Sequence, residues 1–271
     1  MSEQQAAVRD HYAQVASDVA GSAAGSSACI CAPANAGEAA GLYAEDILRR
    51  LPDKALAASR GCGDPVSVAA LQPGETVLDL GSGGGIDAII ASVFVGETGK
   101  VYGVDMTPEM IELARANAAE AGASNIEFLH GNIEDIPLSN ASVDVVISNC
   151  VINFADNKPA VFAEACRVLR PGGRFVVSDI VAFKPIPEAI EPQMRRITGC
   201  LNGMLSPAEY DEQLKAAGFS RCAVNSKTIY TFEALEPRCA KKGRTPLLEE
   251  VKRYPEASGA TGSAIVIGWK E

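Results

Sequence analysis

Three features of the sequence predict an α/β protein, in which helices cover both faces of a mostly parallel sheet of about seven strands. Short apolar runs alternate with segments of helical periodicity between residues 76 and 182. A glycine-rich turn, residues 81–85, follows the first apolar run and precedes a helical segment. Strands that alternate with helices form parallel sheets covered on both faces. The predicted fold class is therefore a Rossmann-like seven-stranded sheet.

The strands are the short apolar segments, and the first of them is Thr76–Leu80. The other predicted strands are residues 100–105, 126–130, 143–149, 174–181, 222–230 and 263–269. The spacing of Ile86, Ile89, Ile90 and Val93 predicts a helix over 86–95. Thr107 can cap the next helix and Gly122 can end it. The remaining predicted helices cover residues 4–18, 45–60 with a break at Pro52, 157–169 and 207–217.

The composition divides the chain into three parts. Residues 1–41, rich in Ala, Gly and Ser, are predicted to be a flexible N-terminal arm that carries the helix at 4–18. Residues 42–182 form the predicted cofactor-binding Rossmann-like core. Residues 183–271 hold a lid or insertion at 183–205, the final strands and a C-terminal tail, in which 237–262 is predicted to be a long loop or partly helical.

Charge and hydropathy limit the classes of partner. The net charge of −10 disfavours nucleic acid, because phosphate binding needs a basic face. The chain lacks an apolar run of the roughly 18 residues that a membrane helix needs, and Arg9, Asp10 and Asp18 interrupt any signal-peptide-like stretch. We therefore expect a cytoplasmic protein with neither a nucleic-acid nor a membrane partner.

The glycine-rich turn is the strongest binding motif. A dinucleotide fingerprint would place its third glycine at position 86, which is Ile86, whereas this turn has Gly81, Gly83 and Gly85 after Asp79. This variant resembles the first motif of class I methyltransferases, which implies S-adenosylmethionine as the cofactor. Asp105, 24 residues after Gly81, can accept hydrogen bonds from both ribose hydroxyls.

The other predicted cofactor-binding residues surround the same end of the sheet. Met106 and Ile133 are expected on the adenine ring, and Glu134 near its amino group. Pro171-Gly172-Gly173 is a further turn usual in this class. The full predicted set is Asp79, Gly81, Ser82, Gly83, Gly85, Asp105, Met106, Asn132, Ile133, Glu134 and Asn149. A nucleotide-binding or vestigial Rossmann domain is the alternative.

Eight cysteines suggest where the methyl acceptor binds. Without an export signal they are expected to be mostly reduced. Cys150 directly follows the fourth strand, and the carboxyl ends of parallel strands face the ligand crevice. Cys62 and Cys200 lie in two other segments that can converge there, and three thiolates suit a soft, thiophilic centre. Cys166 and Cys222 are expected to be structural, and Cys239 has no assigned role.

Five stretches carry a resemblance to a known family: GCGDP, ETVLDLGSGGGIDAIIAS, GNIEDIPL, VDVVISNCVINF and TGC. Over about residues 42–235 the chain resembles the arsenite methyltransferase family. The resemblance implies that Cys62, Cys150 and Cys200 bind trivalent arsenic, whose lone pair takes the methyl group. It also implies arsenite and methylarsenite as substrates, and a thiol reductant such as thioredoxin or glutathione. Cys29 or Cys31 would serve as a redox partner of Cys62.

Two other functions stay open at this point. A small-molecule, quinone-type C-methyltransferase on the same core would not need the three cysteines. A non-enzymatic arsenic or soft-metal binding protein would bind the metalloid without the cofactor. A zinc site is disfavoured because the chain has no Cys-x-x-Cys pair.

Overall fold

The structure is a computed structural model that describes residues 2–21, 43, 45–59, 61–199 and 203–271. These residues form a seven-stranded sheet with the order β3-β2-β1-β4-β5-β7-β6. The strands are β1 (Thr76–Leu80), β2 (Lys100–Asp105), β3 (Ile126–His130), β4 (Val143–Asn149), β5 (Leu169–Ala182), β6 (Arg221–Ile229) and β7 (Thr261–Trp269). All neighbouring pairs among β1 to β5 are parallel, and β7 runs antiparallel to β5 and β6. The Rossmann-like prediction is confirmed.

The helices along the first half of the chain are α1 (Glu3–Ala20), α2 (Glu45–Leu48), α3 (Asp53–Ala58), α4 (Pro65–Ala69), α5 (Ile86–Val95) and α6 (Pro108–Glu120). Those of the second half are α7 (Lys158–Val168), α8 (Glu191–Thr198), α9 (Pro207–Ala216), α10 (Phe232–Lys241) and α11 (Thr245–Val251). The predicted helix at 45–60 is thus two helices, because Pro52 lacks the amide hydrogen that a continuous helix needs. Helix α4 was not predicted from the sequence.

Two apolar clusters cover the two faces of the sheet. Val77, Val145 and Ile147 pack against α5 on one face. Leu78, Leu80 and Val146 pack against α7 and α9 on the other. Successive residues of a strand point to opposite faces, so strands buried on both faces are apolar throughout. This explains why the central strands were predictable.

Beyond the carboxyl ends of β4 and β5 lies a third cluster, which we call the cap. It consists of residues 186–198 and 230–257, and α8, α10 and α11 supply most of its apolar side chains. The sequence predicted a lid at 183–205 and a long loop or partly helical segment at 237–262. The second of these segments is partly helical: it contains the second half of α10 and all of α11, in which Cys239 and Leu248 are buried.

Helix α1 belongs to the predicted flexible arm, yet one side of it is buried. Val15, Ala16 and Val19 pack against Met110 and Leu113 of α6. These contacts fix the helix on the core, because they remove its apolar side from water. The rest of the arm, residue 1 and residues 22–41, lies outside the described residues.

A buried carboxyl group gives the fold a pH dependence. Asp179 of β5 accepts hydrogen bonds from Asn153 Nδ2, at 2.8 Å, and from the Tyr210 hydroxyl, at 3.1 Å. Burial raises its pKa from 3.8 to about 7. Between these values Asp179 is more protonated in the folded state than in the unfolded state, so the contribution of this group to stability falls as the pH rises through this window.

We therefore expect Asp179→Asn to flatten the pH profile of the free energy of unfolding between about pH 4 and pH 7. The amide stays neutral and can still accept from Asn153. Urea denaturation at several pH values measures the effect. One titrating group can change the free energy of unfolding by at most ~1.4 kcal/mol for each pH unit. A variant profile parallel to that of the wild type would show that Asp179 is not the linked group.

Candidate active site

The carboxyl ends of β1 and β4 lie side by side, at the point where the strand order reverses. In such sheets the crevice at this point binds ligands. Gly81 has φ +67°, and a Cβ there would lie 2.6 Å from the Val151 side chain. Its amide and that of Ser82 donate to Val104 O. Glycine therefore lets the chain turn sharply against the segment that follows β4.

This crevice forms a pocket that is partly open to solvent. It is lined by ten of the eleven predicted cofactor-binding residues: Asp79, Gly81, Ser82, Gly83, Asp105, Met106, Asn132, Ile133, Glu134 and Asn149. The eleventh, Gly85, packs against Phe128 and Ala114, where a Cβ would lie 2.9 and 3.1 Å from their nearest atoms. The predicted residues are thus brought together, with Gly85 positioned behind the pocket.

The pocket is acidic. Asp79, Asp87, Asp105 and Glu134 line it, and the described lining includes no lysine or arginine. Burial raises the pKa of Asp79 well above its ordinary value, and the charges of Asp87 and Asp105 raise it further. Burial also raises the pKa of Asp105. A cationic ligand would relieve this repulsion, whereas a pyrophosphate would add to it.

Asp105 organises the glycine-rich turn. Its Oδ2 accepts from the Gly83 amide and its Oδ1 from the Thr107 amide, both at 2.9 Å. Nearby, the buried hydroxyl of Ser82 has no hydrogen-bond partner among the described residues. This oxygen lies against β2, where a Cβ on Gly103 would be 2.8 Å from it, and it is not exposed to the pocket. An S-adenosylmethionine molecule, with its sulfonium cation and ribose hydroxyls, fits this donor and acceptor set.

Two of the three predicted arsenic ligands meet at one side of the pocket. Cys62 and Cys150 form a disulfide, with their Cα atoms 6.0 Å apart. Cys150 lines the pocket, and both cysteines pack against the cap. The expectation of reduced thiols is therefore wrong for this pair, because the fold brings their Cα atoms within the range that a disulfide spans. Cys29, Cys31 and Cys200 lie outside the described residues.

The backbone at Cys150 is unusual. Its φ is +60°, and its amide donates to Ser178 O at 2.8 Å. A non-glycine residue in the left-handed region costs energy, and such residues cluster at functional sites. The other described cysteines are free, and Cys166 and Cys239 are buried. Burial raises the pKa of the Cys222 thiol to about 11, so this thiol stays protonated at neutral pH.

Helix α1 supplies a wall of the pocket that the sequence did not predict. Gln5, Val8 and Tyr12 line it, and the Tyr12 ring meets Phe154 edge to face at 6.1 Å. Gln5 Nε2 donates to Glu134 Oε1 at 3.1 Å, an oxygen that also accepts from the amides of Asp156 and Asn157. The sequence does contain a sign of this wall, because the helical spacing of Gln5, Val8 and Tyr12 places these residues on one side of α1. It did not show which surface the helix would cover.

Comparisons with known proteins identify relatives of this chain. The family described as "Methyltransferase domain" matches residues 71–218. An arsenite methyltransferase of Halobacterium salinarum is 48% identical over 167 residues, 62% of this chain and 43% of that protein. One from Mus musculus is 37% identical over 203 residues, 72% of this chain and 54% of that protein.

A solved structure extends the likeness to the fold. CrArsM, an arsenic(III) S-adenosylmethionine methyltransferase from Chlamydomonas reinhardtii, is 32% identical with a TM-score of 0.64. The match covers 83% of this chain and 71% of CrArsM. The chain belongs to the arsenite methyltransferase family. It spans about half the length of the curated relatives that it matches. None of the helices in the described ranges is both long and apolar enough to span a membrane.

Proposed function

We propose that this member of the arsenite methyltransferase family methylates trivalent arsenic that its own cysteines hold. One observation carries the proposal: Cys62 and Cys150 meet beside a pocket whose lining is acidic and contains Cys150 itself. Arsenite and methylarsenite are the proposed substrates. The relatives named arsenite methyltransferase, at 37–48% identity, support this reading over a quinone-type enzyme or a non-enzymatic binder.

The cofactor would be held by the acidic pocket. Asp105 would accept hydrogen bonds from the ribose hydroxyls, and Met106 and Ile133 would lie on the adenine. Asp79 and Asp87 would face the charged part of the molecule. When bound, S-adenosylmethionine supplies an electrophilic methyl group that arsenic can take with its lone pair. Since the lone pair is already available, no side chain has to act as a general base.

The cysteines would hold the acceptor. The disulfide is the oxidised form of the pair. Two glutathione molecules, or one reduced thioredoxin with its two thiols, would convert it to two thiols and would themselves be oxidised to a disulfide. Arsenite would then exchange its hydroxyl groups for Cys62, Cys150 and Cys200 sulfurs, releasing one water per bond formed. Sulfur is a soft ligand that suits this centre. Cys29 or Cys31 would serve as a redox partner of Cys62.

The direct test is an assay with the purified protein, arsenite, glutathione and S-adenosylmethionine labelled in its methyl group. Chromatography should show labelled methylarsenicals, and omission of the thiol should stop turnover. With demethylmenaquinone added to the same assay, incorporation of label into the quinone but not into arsenic would favour the quinone-type alternative. Arsenite binding without any labelled product, and without binding of the cofactor, would favour the non-enzymatic one.

Helix α1 makes a further prediction for the cofactor. Tyr12→Ala should weaken binding of S-adenosylmethionine by about tenfold, because the pocket loses the aromatic wall that α1 provides. Isothermal titration calorimetry measures the dissociation constant. Gln14→Ala is the matched control, since Gln14 lies on the exposed side of the same helix and bonds only to Asp18 in the described contacts. Equal dissociation constants for Tyr12→Ala and Gln14→Ala would exclude α1 from the binding site.

A further inference from the structure

The side chain of Asn149 holds the loop that carries Cys62. Asn149 Oδ1 accepts from the Cys62 amide at 2.9 Å, and its Nδ2 donates to Gly63 O at 2.7 Å. The Asn149 side-chain amide is therefore hydrogen-bonded to the backbone on both sides of the Cys62 side chain. We call residues 61–63 the cysteine loop.

The glycines of the cysteine loop make these two hydrogen bonds possible. A Cβ on Gly61 would lie 2.3 Å from Asn149 Nδ2. A Cβ on Gly63 would lie 2.3 Å from the hydroxyl oxygen of Ser178. Both distances are far shorter than non-bonded contacts allow, so only glycine lets the loop approach β4 and β5 this closely. The two glycines of the Gly-Cys-Gly sequence thus allow Cys62 to lie at its observed position.

The orientation of the Asn149 amide is set from the pocket side. Asn149 Nδ2 also donates to Asp87 Oδ2 at 3.0 Å, and Asp87 Oδ1 accepts from the Tyr43 hydroxyl at 3.0 Å. An ionised carboxylate can only accept, so Asp87 requires the nitrogen of Asn149 to face it. The oxygen of Asn149 is then left for the Cys62 amide. Tyr43 and Asp87 are both buried, so water competes little for these bonds.

We infer that Tyr43 and Asp87 are positioning residues for Cys62, acting through the Asn149 side chain. A chain of hydrogen bonds runs from Tyr43 through Asp87, which lines the pocket, to the cysteine loop. The relevance of this chain to arsenic rests on the proposed function, which makes Cys62 an arsenic ligand. The positioning itself is a property of the loop, and it can be measured without arsenic.

The measurement is the equilibrium between the Cys62–Cys150 disulfide and glutathione. Two glutathione molecules supply two electrons, the disulfide becomes two thiols, and one glutathione disulfide forms. A loop held in place keeps the two sulfurs together and favours the disulfide, whereas a loose loop favours reduction. Acid quenching, alkylation and mass spectrometry of the peptides containing Cys62 and Cys150 give the constant for this pair alone.

Tyr43→Phe removes one hydroxyl and should shift the constant toward reduction by about fivefold. Asn149→Ala removes both bonds to the loop and should shift it by about thirtyfold. In the double variant Tyr43→Phe should add nothing, because its effect passes through Asn149. Tyr43→Phe should likewise add nothing when it is combined with Asp87→Ala. This second double variant is used if Asn149→Ala does not fold.

Ser148→Ala is the matched control. Ser148 is buried, precedes Asn149 in β4, points to the opposite face, and donates to Leu80 O. It should leave the exchange constant unchanged although it removes a buried hydrogen bond. An unshifted constant in Tyr43→Phe, or additive shifts in the double variant, would overturn the inference. Absence of methylarsenical from the wild type would instead refute the proposed function and leave this result intact.

Discussion

Cys150→Ser is expected to abolish the formation of methylarsenicals, lowering the rate by about a thousandfold or more. Serine keeps the size of the side chain and the backbone hydrogen bond to Ser178 O. It replaces the soft sulfur with a hard oxygen, which binds trivalent arsenic poorly. The loss should therefore appear in the chemistry, while the fold and the binding of S-adenosylmethionine are retained. The labelled-methyl assay and calorimetry separate these effects.

Cys222→Ser provides the matched control for this substitution. Cys222 is a free cysteine in β6 that packs against the apolar cluster of α7 and α9. Its thiol does not line the pocket, and its raised pKa keeps it protonated at neutral pH. Turnover should be unchanged within about twofold. If Cys150→Ser and Cys222→Ser were equally active, the proposed role of Cys150 as an arsenic ligand would be wrong.

The parts of the site that follow local patterns were predictable. Each central strand is an apolar run, and its last residue is placed at the crevice by the parallel topology alone. Asp105 and Cys150 were found in this way, as a strand end and as the residue after one. The glycine-rich turn was recognisable because its conformation depends on residues adjacent in the chain.

Features that depend on distant contacts were not predictable. Asn149 was expected to bind the cofactor, and it does line the pocket. Its side chain also donates a hydrogen bond to the cysteine loop, 86 residues away in the chain. Helix α1 was recognised as a helix, yet its packing on α6 is decided by complementary surfaces. Residues 237–262 contain Pro237, Pro246 and many charges, so the sequence left a long loop and a partly helical segment both open. Burial of a few apolar side chains in the cap outweighs these local preferences.

Asp105→Ala should weaken the binding of S-adenosylmethionine by about a hundredfold. The substitution removes the carboxylate expected to accept hydrogen bonds from both ribose hydroxyls. It also frees the amides of Gly83 and Thr107, which Asp105 now holds at 2.9 Å, so the glycine-rich turn loses its anchor. Both effects act on the same ligand. Calorimetric titration with S-adenosylmethionine measures their sum.

Asp105→Asn separates the two contributions. The amide oxygen can still accept from one of the two backbone amides, so the turn should keep part of its anchor. The negative charge is lost, and the nitrogen cannot accept from a ribose hydroxyl. We expect a dissociation constant between those of the wild type and Asp105→Ala, together with a melting temperature close to that of the wild type. A dissociation constant for Asp105→Ala equal to that of the wild type would place the ribose elsewhere in the pocket.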